Sequence, residues 1–135
     1  MAKLLSIWGH VPVMKYASKG ISLTAMLDAI ATGMIENRRQ RLSGQSDSEG
    51  SPLAPLSQTT IRKKGHSRIL YDTGEMEDGL TYKPITGGIE LTGDTREVME
   101  KIFWAWSGSP NRPIRDFFTV GDDDMDLIEK IVGGI

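Results

Sequence analysis

The sequence predicts an α+β fold, a long N-terminal helix and shorter helices packed on a small antiparallel sheet. Three observations carry this. Residues 22–43 hold one apolar stripe at helical spacing, a Gly-Gly pair between two strand-like runs marks a hairpin, and two shorter helical patterns follow. The 135 residues, 39% of them hydrophobic, suit one domain with one modest core. The expected organisation is an N-terminal arm (1–21) and a single domain (22–135) with a flexible loop at 44–56.

In the arm, Leu4, Leu5, Ile7 and Trp8 suit a short strand or a docking segment, because Gly9 and Pro12 forbid a long regular element. The same breaks, with His10, argue against a signal peptide. No apolar run reaches the roughly 20 residues of a membrane span.

The long helix follows from Leu23, Met26, Leu27, Ile30, Met34, Ile35 and Leu42, which recur every three or four residues. Ser22 or Thr24 suits its N-cap and Gly44 its stop. Arg38, Arg39 and Arg41 fall in its last turns, where the helix dipole favours cations. Gly33 costs about 1 kcal/mol relative to Ala in a helix and permits a close helix contact.

The polar segment GQSDSEGSPLAP reads as the loop. Ser57 or Thr59 then caps a short helix that Gly65 ends. RILY (68–71) reads as a short strand and DTGEMEDGL as a turn with one helical turn in EMED. LTYKPI and IELTG form the hairpin arms around Thr86-Gly87-Gly88, and Pro84 calls for an edge position. Asp94 caps the next helix, with Glu97 completing a capping box and Val98, Met99, Ile102, Phe103 and Trp106 as its apolar face. IRDFFTV (114–120) reads as a strand or an extended anchor, and DDDMDLIEKIV as a last helix with its aspartates at the positive end.

The residue content excludes several chemistries. Without cysteine there is no disulfide, thiolate metal site or cysteine nucleophile. A calcium loop beginning at Asp122 fails, since its sixth position is Leu127 and its twelfth Gly133, where Gly and Glu are needed. His10 and His66 show no paired-ligand spacing, and no phosphate-binding glycine motif occurs. No cofactor or metal is expected. Asp72, Glu75, Glu77 and Asp78 read as turn acids rather than an acid–base pair, and His66 in KKGHSR as a loop hydrogen-bonding group.

Charge is unevenly placed. Residues 1–68 carry ten Lys/Arg against four Asp/Glu, and residues 69–135 six against fourteen. Two solvated faces explain this, and so does head-to-tail association of a basic half with an acidic half. Arg62, Lys63, Lys64 and Arg68, with the three helix arginines, form the candidate cationic surface. Phe103, Trp104, Trp106, Phe117 and Phe118 exceed what a small core hides with ease. Trp104, off the helix's main apolar face, suits a subunit interface.

PLSQTTIRKKGHSRILYDTGEMEDGLTYK resembles the phage virion-morphogenesis family, which includes the Mu-type and P2-type tail-completion proteins. The matching elements are Pro55-Leu56-Ser57 with Thr60, Ile61 and Lys64, then Leu70 with Asp72-Thr73-Gly74 and Met76. Next come Pro113, Arg115 and Phe117, then Asp124 with Ile128. The resemblance spans roughly residues 22–133. IFWAWSGS stands where the family has an aromatic segment ending in histidine and glycine, and Leu53 where it has a tryptophan.

The resemblance implies a structural protein of the virion at the head–tail junction. Such proteins form a ring around the DNA channel and join tail tube to head connector. Its partners would be copies of itself (a hexamer favoured, a dodecamer the other option), neck or head-completion proteins, tail tube proteins and passing DNA. Interface residues on this reading are Arg38, Arg39, Arg41, Arg62, Lys63, Lys64, Trp104, Trp106, Arg115, Phe117 and Phe118. The rival readings are a non-specific DNA-binding accessory protein and a small hydrolase pairing His66 with Asp72.

Overall fold

The computed structural model describes residues 6–7, 23–70, 74–86 and 88–133. Among them run β1 (Ser6–Ile7), α1 (Leu23–Gly44), α2 (Gln58–Lys64), α3 (Glu75–Asp78), β2 (Leu80–Ile85), β3 (Gly88–Gly93), α4 (Arg96–Ser107) and α5 (Asp122–Gly133). The fold is α+β. The sheet order is β1-β3-β2, antiparallel throughout. The hairpin pairs Leu80 with Gly93 and Ile85 with Gly88, while Ser6 pairs with Glu90 on the other side of β3. Central β3 is therefore buried along its length. Pro84, which has no N–H to give a second ladder, sits on the edge strand β2. The remaining expectations for residues 1–5 and 8–22, like Tyr71, Asp72, Thr73 and Gly87, lie outside the described residues.

The core joins α1, α4 and the sheet. Met26, Ile30, Met34 and Leu42 of α1 meet Leu80, Leu91, Val98 and Ile102 in one apolar cluster, closed by Phe117 and Phe118. Helix α5 packs along α1 at Gly33, where a Cβ would lie 2.6 Å from a Leu127 methyl. The glycine thus permits the close helix contact its position suggests. Ser57 caps α2 by accepting from the Thr60 N–H at 3.2 Å, and left-handed Gly65 ends it.

Three expectations are corrected, and one left open between two forms is decided. RILY forms no strand over its described residues. The Gln45 side chain takes both backbone groups of Ile69, and Leu70 turns to φ 57°. IRDFFTV is the anchor rather than a strand, because the Phe117, Phe118 and Thr119 carbonyls accept from arginines of α1. Helix α4 is capped by Thr95, whose hydroxyl accepts from the Val98 N–H, and not by Asp94. Its buried face is Val98, Ile102 and Ala105, which leaves Phe103 and Trp106 half-buried.

The 44–56 loop makes contacts on several sides. Ser46 bridges to Pro52, Asp47 Oδ1 accepts from the Glu49 and Ser51 N–H groups, Ser48 N–H donates to the Asp116 carbonyl, and Leu53 is buried. The Ser48 carbonyl lies so close to Gly121 that any Cβ there would collide with backbone.

Candidate functional site

Three of the arginines expected at an interface fall in two places. Arg38 and Arg41 lie inside the molecule, 0% and 4% exposed, which corrects their assignment as interface residues. They follow Met34 and precede Leu42 on the same helical register, so the buried stripe of α1 continues through them. Both meet Asp124 of α5, itself fully buried. Arg38 Nη1 and Nη2 donate to the two Asp124 oxygens at 2.9 and 3.1 Å, and its Nε donates to the Phe118 carbonyl. Arg41 Nη2 donates to Asp124 at 2.8 Å and pairs also with Asp123, while its Nη1 donates to the Phe117 and Thr119 carbonyls. Asn37 and the Gly121 N–H complete the shell around Asp124.

Burial alone would raise the Asp124 carboxyl. The Arg38 charge and the hydrogen bonds from Arg38, Gly121 and Asn37 outweigh it and hold the group below its ordinary value. This cluster clamps α5 and the 117–119 segment onto α1. Phe117 and Phe118 are buried in the same clamp, their rings edge to face at 6.1 Å, so they too are core rather than interface.

The second place is a surface groove of about 310 Å³. Its construction begins where α4 ends. Gly108 turns the chain at φ 63°, Ser109 bridges to Arg112, and the Arg115 N–H donates to the Ala105 carbonyl at 2.8 Å. That return lays the Arg112 guanidinium over the Trp104 ring, 5.2 Å from its centroid. Trp104 is 46% exposed and Ile114 64%. Arg115 reaches the other way and donates to the Ala54 and Pro55 carbonyls, both at 2.8 Å. It thereby fixes the Pro55-Leu56-Ser57 approach to α2. Leu70, Met76 and Ala105 form an apolar floor, with Lys64, Lys101 and Glu75 on the rim.

The groove carries more positive than negative charge. Its one carboxylate, Glu75, is 3.3 Å from Lys101, which Glu97 also pairs at 3.4 Å. Burial opposes the Lys101 charge, but these two acids raise it above its ordinary value. Neither Arg112 nor Arg115 has a carboxylate partner among the described residues. Burial, then the neighbouring Arg112 charge, lowers Arg115 from its ordinary value. It remains cationic at neutral pH.

Of the other expected residues, Arg39 donates to the Glu77 carbonyl at 3.0 Å and Lys64 to the Arg68 carbonyl at 2.9 Å. Arg62 and Lys63 are exposed on α2, and Trp106 is half-buried. Gly74 starts α3 at φ 82°, while its motif partners Asp72 and Thr73 lie outside the described residues. His66 Nδ1 accepts from the Arg68 N–H at 3.1 Å, the loop role expected of it. The groove thus gathers Lys64, Trp104 and Arg115 and adds Arg112, Glu75 and Lys101. Arg112 was not singled out from the sequence. A Gly followed five residues later by Pro-Ile-Arg, at the end of an aromatic helix, was the available sign of a chain returning over that helix.

Among the described residues no group of three or more His, Asp or Glu is placed to hold a metal ion, and no helix is long and apolar enough to cross a membrane. No family model, curated protein or solved structure matches this chain.

Proposed function

We propose that this protein is a structural component of a tailed-phage virion, acting at the head–tail junction in neck or tail completion or as a tail terminator. It would form a ring of copies around the DNA channel and join the tail tube to the head connector. The observation that carries the reading is the groove beside Trp104, an apolar floor with two arginines that no carboxylate of the described chain matches. Exposed Trp and Arg around a hollow are what docking surfaces use. The ordered set of PLS, DTG, PIRDFF and acidic-helix motifs, with its resemblance to virion-morphogenesis proteins, supplies the particular assembly.

A second contact fits the same role. Arg62 and Lys63, exposed at the C-terminal end of α2, give a cationic edge for non-specific contact with DNA in the channel. Such binding would weaken steeply with salt.

Mass spectrometry of purified particles of the encoding phage, with cryo-EM of the neck, tests the proposal. A few copies per particle, six or twelve, in a ring at the head–tail junction is the expected result. Absence from intact particles would overturn it.

A further inference from the structure

Helix α5 presents two unlike faces. Asp124, Leu127, Ile128 and Ile131 turn toward α1 and the core. Asp122, Met125, Asp126 and Glu129 follow the i, i+3, i+4, i+7 spacing of the opposite face, and all four are exposed. Met125 is 54% exposed, an apolar side chain standing among three carboxylates. None of the three makes an ion pair among the described residues, and Lys130 lies at the margin of the face.

This face has the complementary properties of the groove. The groove offers an apolar floor with surplus cations, the helix an apolar knob with surplus carboxylates. A hollow of about 310 Å³ holds roughly ten waters, enough for a protruding side chain though not for a helix. Trp, Arg and Met are the residue types enriched at protein interfaces. We infer that the outer face of α5 from one copy docks on the Trp104–Arg112 groove of the next, with Met125 entering the hollow and Asp122, Asp126 and Glu129 facing its cations. The inference rests on the self-assembly part of the proposed function and names the surfaces that carry it.

Two different patches meet in this contact, so it is heterologous. Each copy keeps one free groove and one free helix face, and the series ends only by closing into a ring. The contact sets an arginine-bearing groove against an acidic helix. Its attraction speeds association and weakens with salt.

The test uses two full-length variants. Arg112→Glu spoils the groove and leaves α5 intact. The double variant Asp126→Lys/Glu129→Lys spoils the helix face and leaves the groove intact. All three substituted residues are exposed, and circular dichroism checks that each variant is folded. Sedimentation velocity should show assemblies for the wild type and monomers for each variant alone, with association weakened about tenfold or more.

Mixed one to one, the variants should give at least a heterodimer, since the competent groove of one meets the competent helix face of the other; anything larger must pair the two altered surfaces, whose charges are both reversed. Three results would overturn the inference. One is assembly of either single variant at wild-type strength. Another is a mixture that stays monomeric. The third is a wild type that remains monomeric while Arg112→Glu loses its place in the particle, which assigns the groove to another virion protein. A working heterodimer from a protein absent from particles would keep this interface and remove the virion role. A ring in particles with unaffected variants would do the reverse.

Discussion

Two pairs of arginines, Arg38 with Arg41 and Arg112 with Arg115, share a side chain and little else. The first pair is enclosed, shares the Asp124 carboxylate and takes up three backbone carbonyls of residues 117–119. The second stands at a groove with no carboxylate partner among the described residues, one guanidinium stacked on Trp104 and the other bonded to loop carbonyls. The difference teaches that positive charge in this chain has two separate uses. The inner set holds α5 and residues 117–119 to α1; of the outer set, Arg115 ties down residues 54–55 and Arg112 stands exposed on Trp104.

If this division is correct, substitutions should separate stability from association. The largest loss of stability is expected at Asp124. Asp124→Asn leaves two buried guanidinium groups short of their counter-charge and should cost about 3–5 kcal/mol in chemical denaturation. A loss under about 1 kcal/mol would break the comparison, because the inner arginines would then be as dispensable as the outer ones. Phe117→Ala opens the core beside the same clamp and should cost about 3–5 kcal/mol by the same measurement.

Acid sharpens the picture further. A carboxyl held low in the folded state adds stability that is complete above its unfolded value near 3.8 and is lost as pH falls through the lower folded value. Wild-type stability should therefore drop below about pH 4, and Asp124→Asn should show a smaller drop over that range. Denaturation midpoints across pH 7 to 2.5 check this.

Gly33→Ala gains helix propensity but presses on Leu127, for a net cost of about 1 kcal/mol. Arg112→Glu should change the stability of the dilute monomer by less than about 0.5 kcal/mol, as expected for an exposed site.

Much of the fold was legible because it follows periodicity and turn chemistry. The α1 stripe, the Ser57 and Gly65 caps, the EMED turn and the edge position of Pro84 all rest on local rules. The buried arginines and RILY share a cause, which is that a polar group's partner lies far along the chain, whereas the Thr95 cap was a choice between neighbours. Arg38 and Arg41 sit on the buried register of α1, yet only Asp124, more than 80 residues away, makes their burial tolerable. RILY lost its strand to a side chain of Gln45, and the same arginines decide IRDFFTV for the anchor. For the candidate site, Trp104 was identified from residue type and its place off the helix's apolar face, and Arg115 from the motif resemblance. Arg112 and the groove itself required the return of the chain over α4, of which Gly108 with Pro113-Ile114-Arg115 is the one sequence sign.

The central claim is that the outer arginine serves association alone. Native mass measurement of Arg112→Glu beside the wild type, at a concentration where the wild type assembles, tests it most directly when paired with the melting temperature of each at high dilution. The account predicts a monomer of 14.9 kDa for the variant, multiples of that mass for the wild type, and equal melting temperatures for the two dilute proteins. Assemblies of wild-type mass in the variant, or a variant monomer that melts well below the wild type, would contradict it.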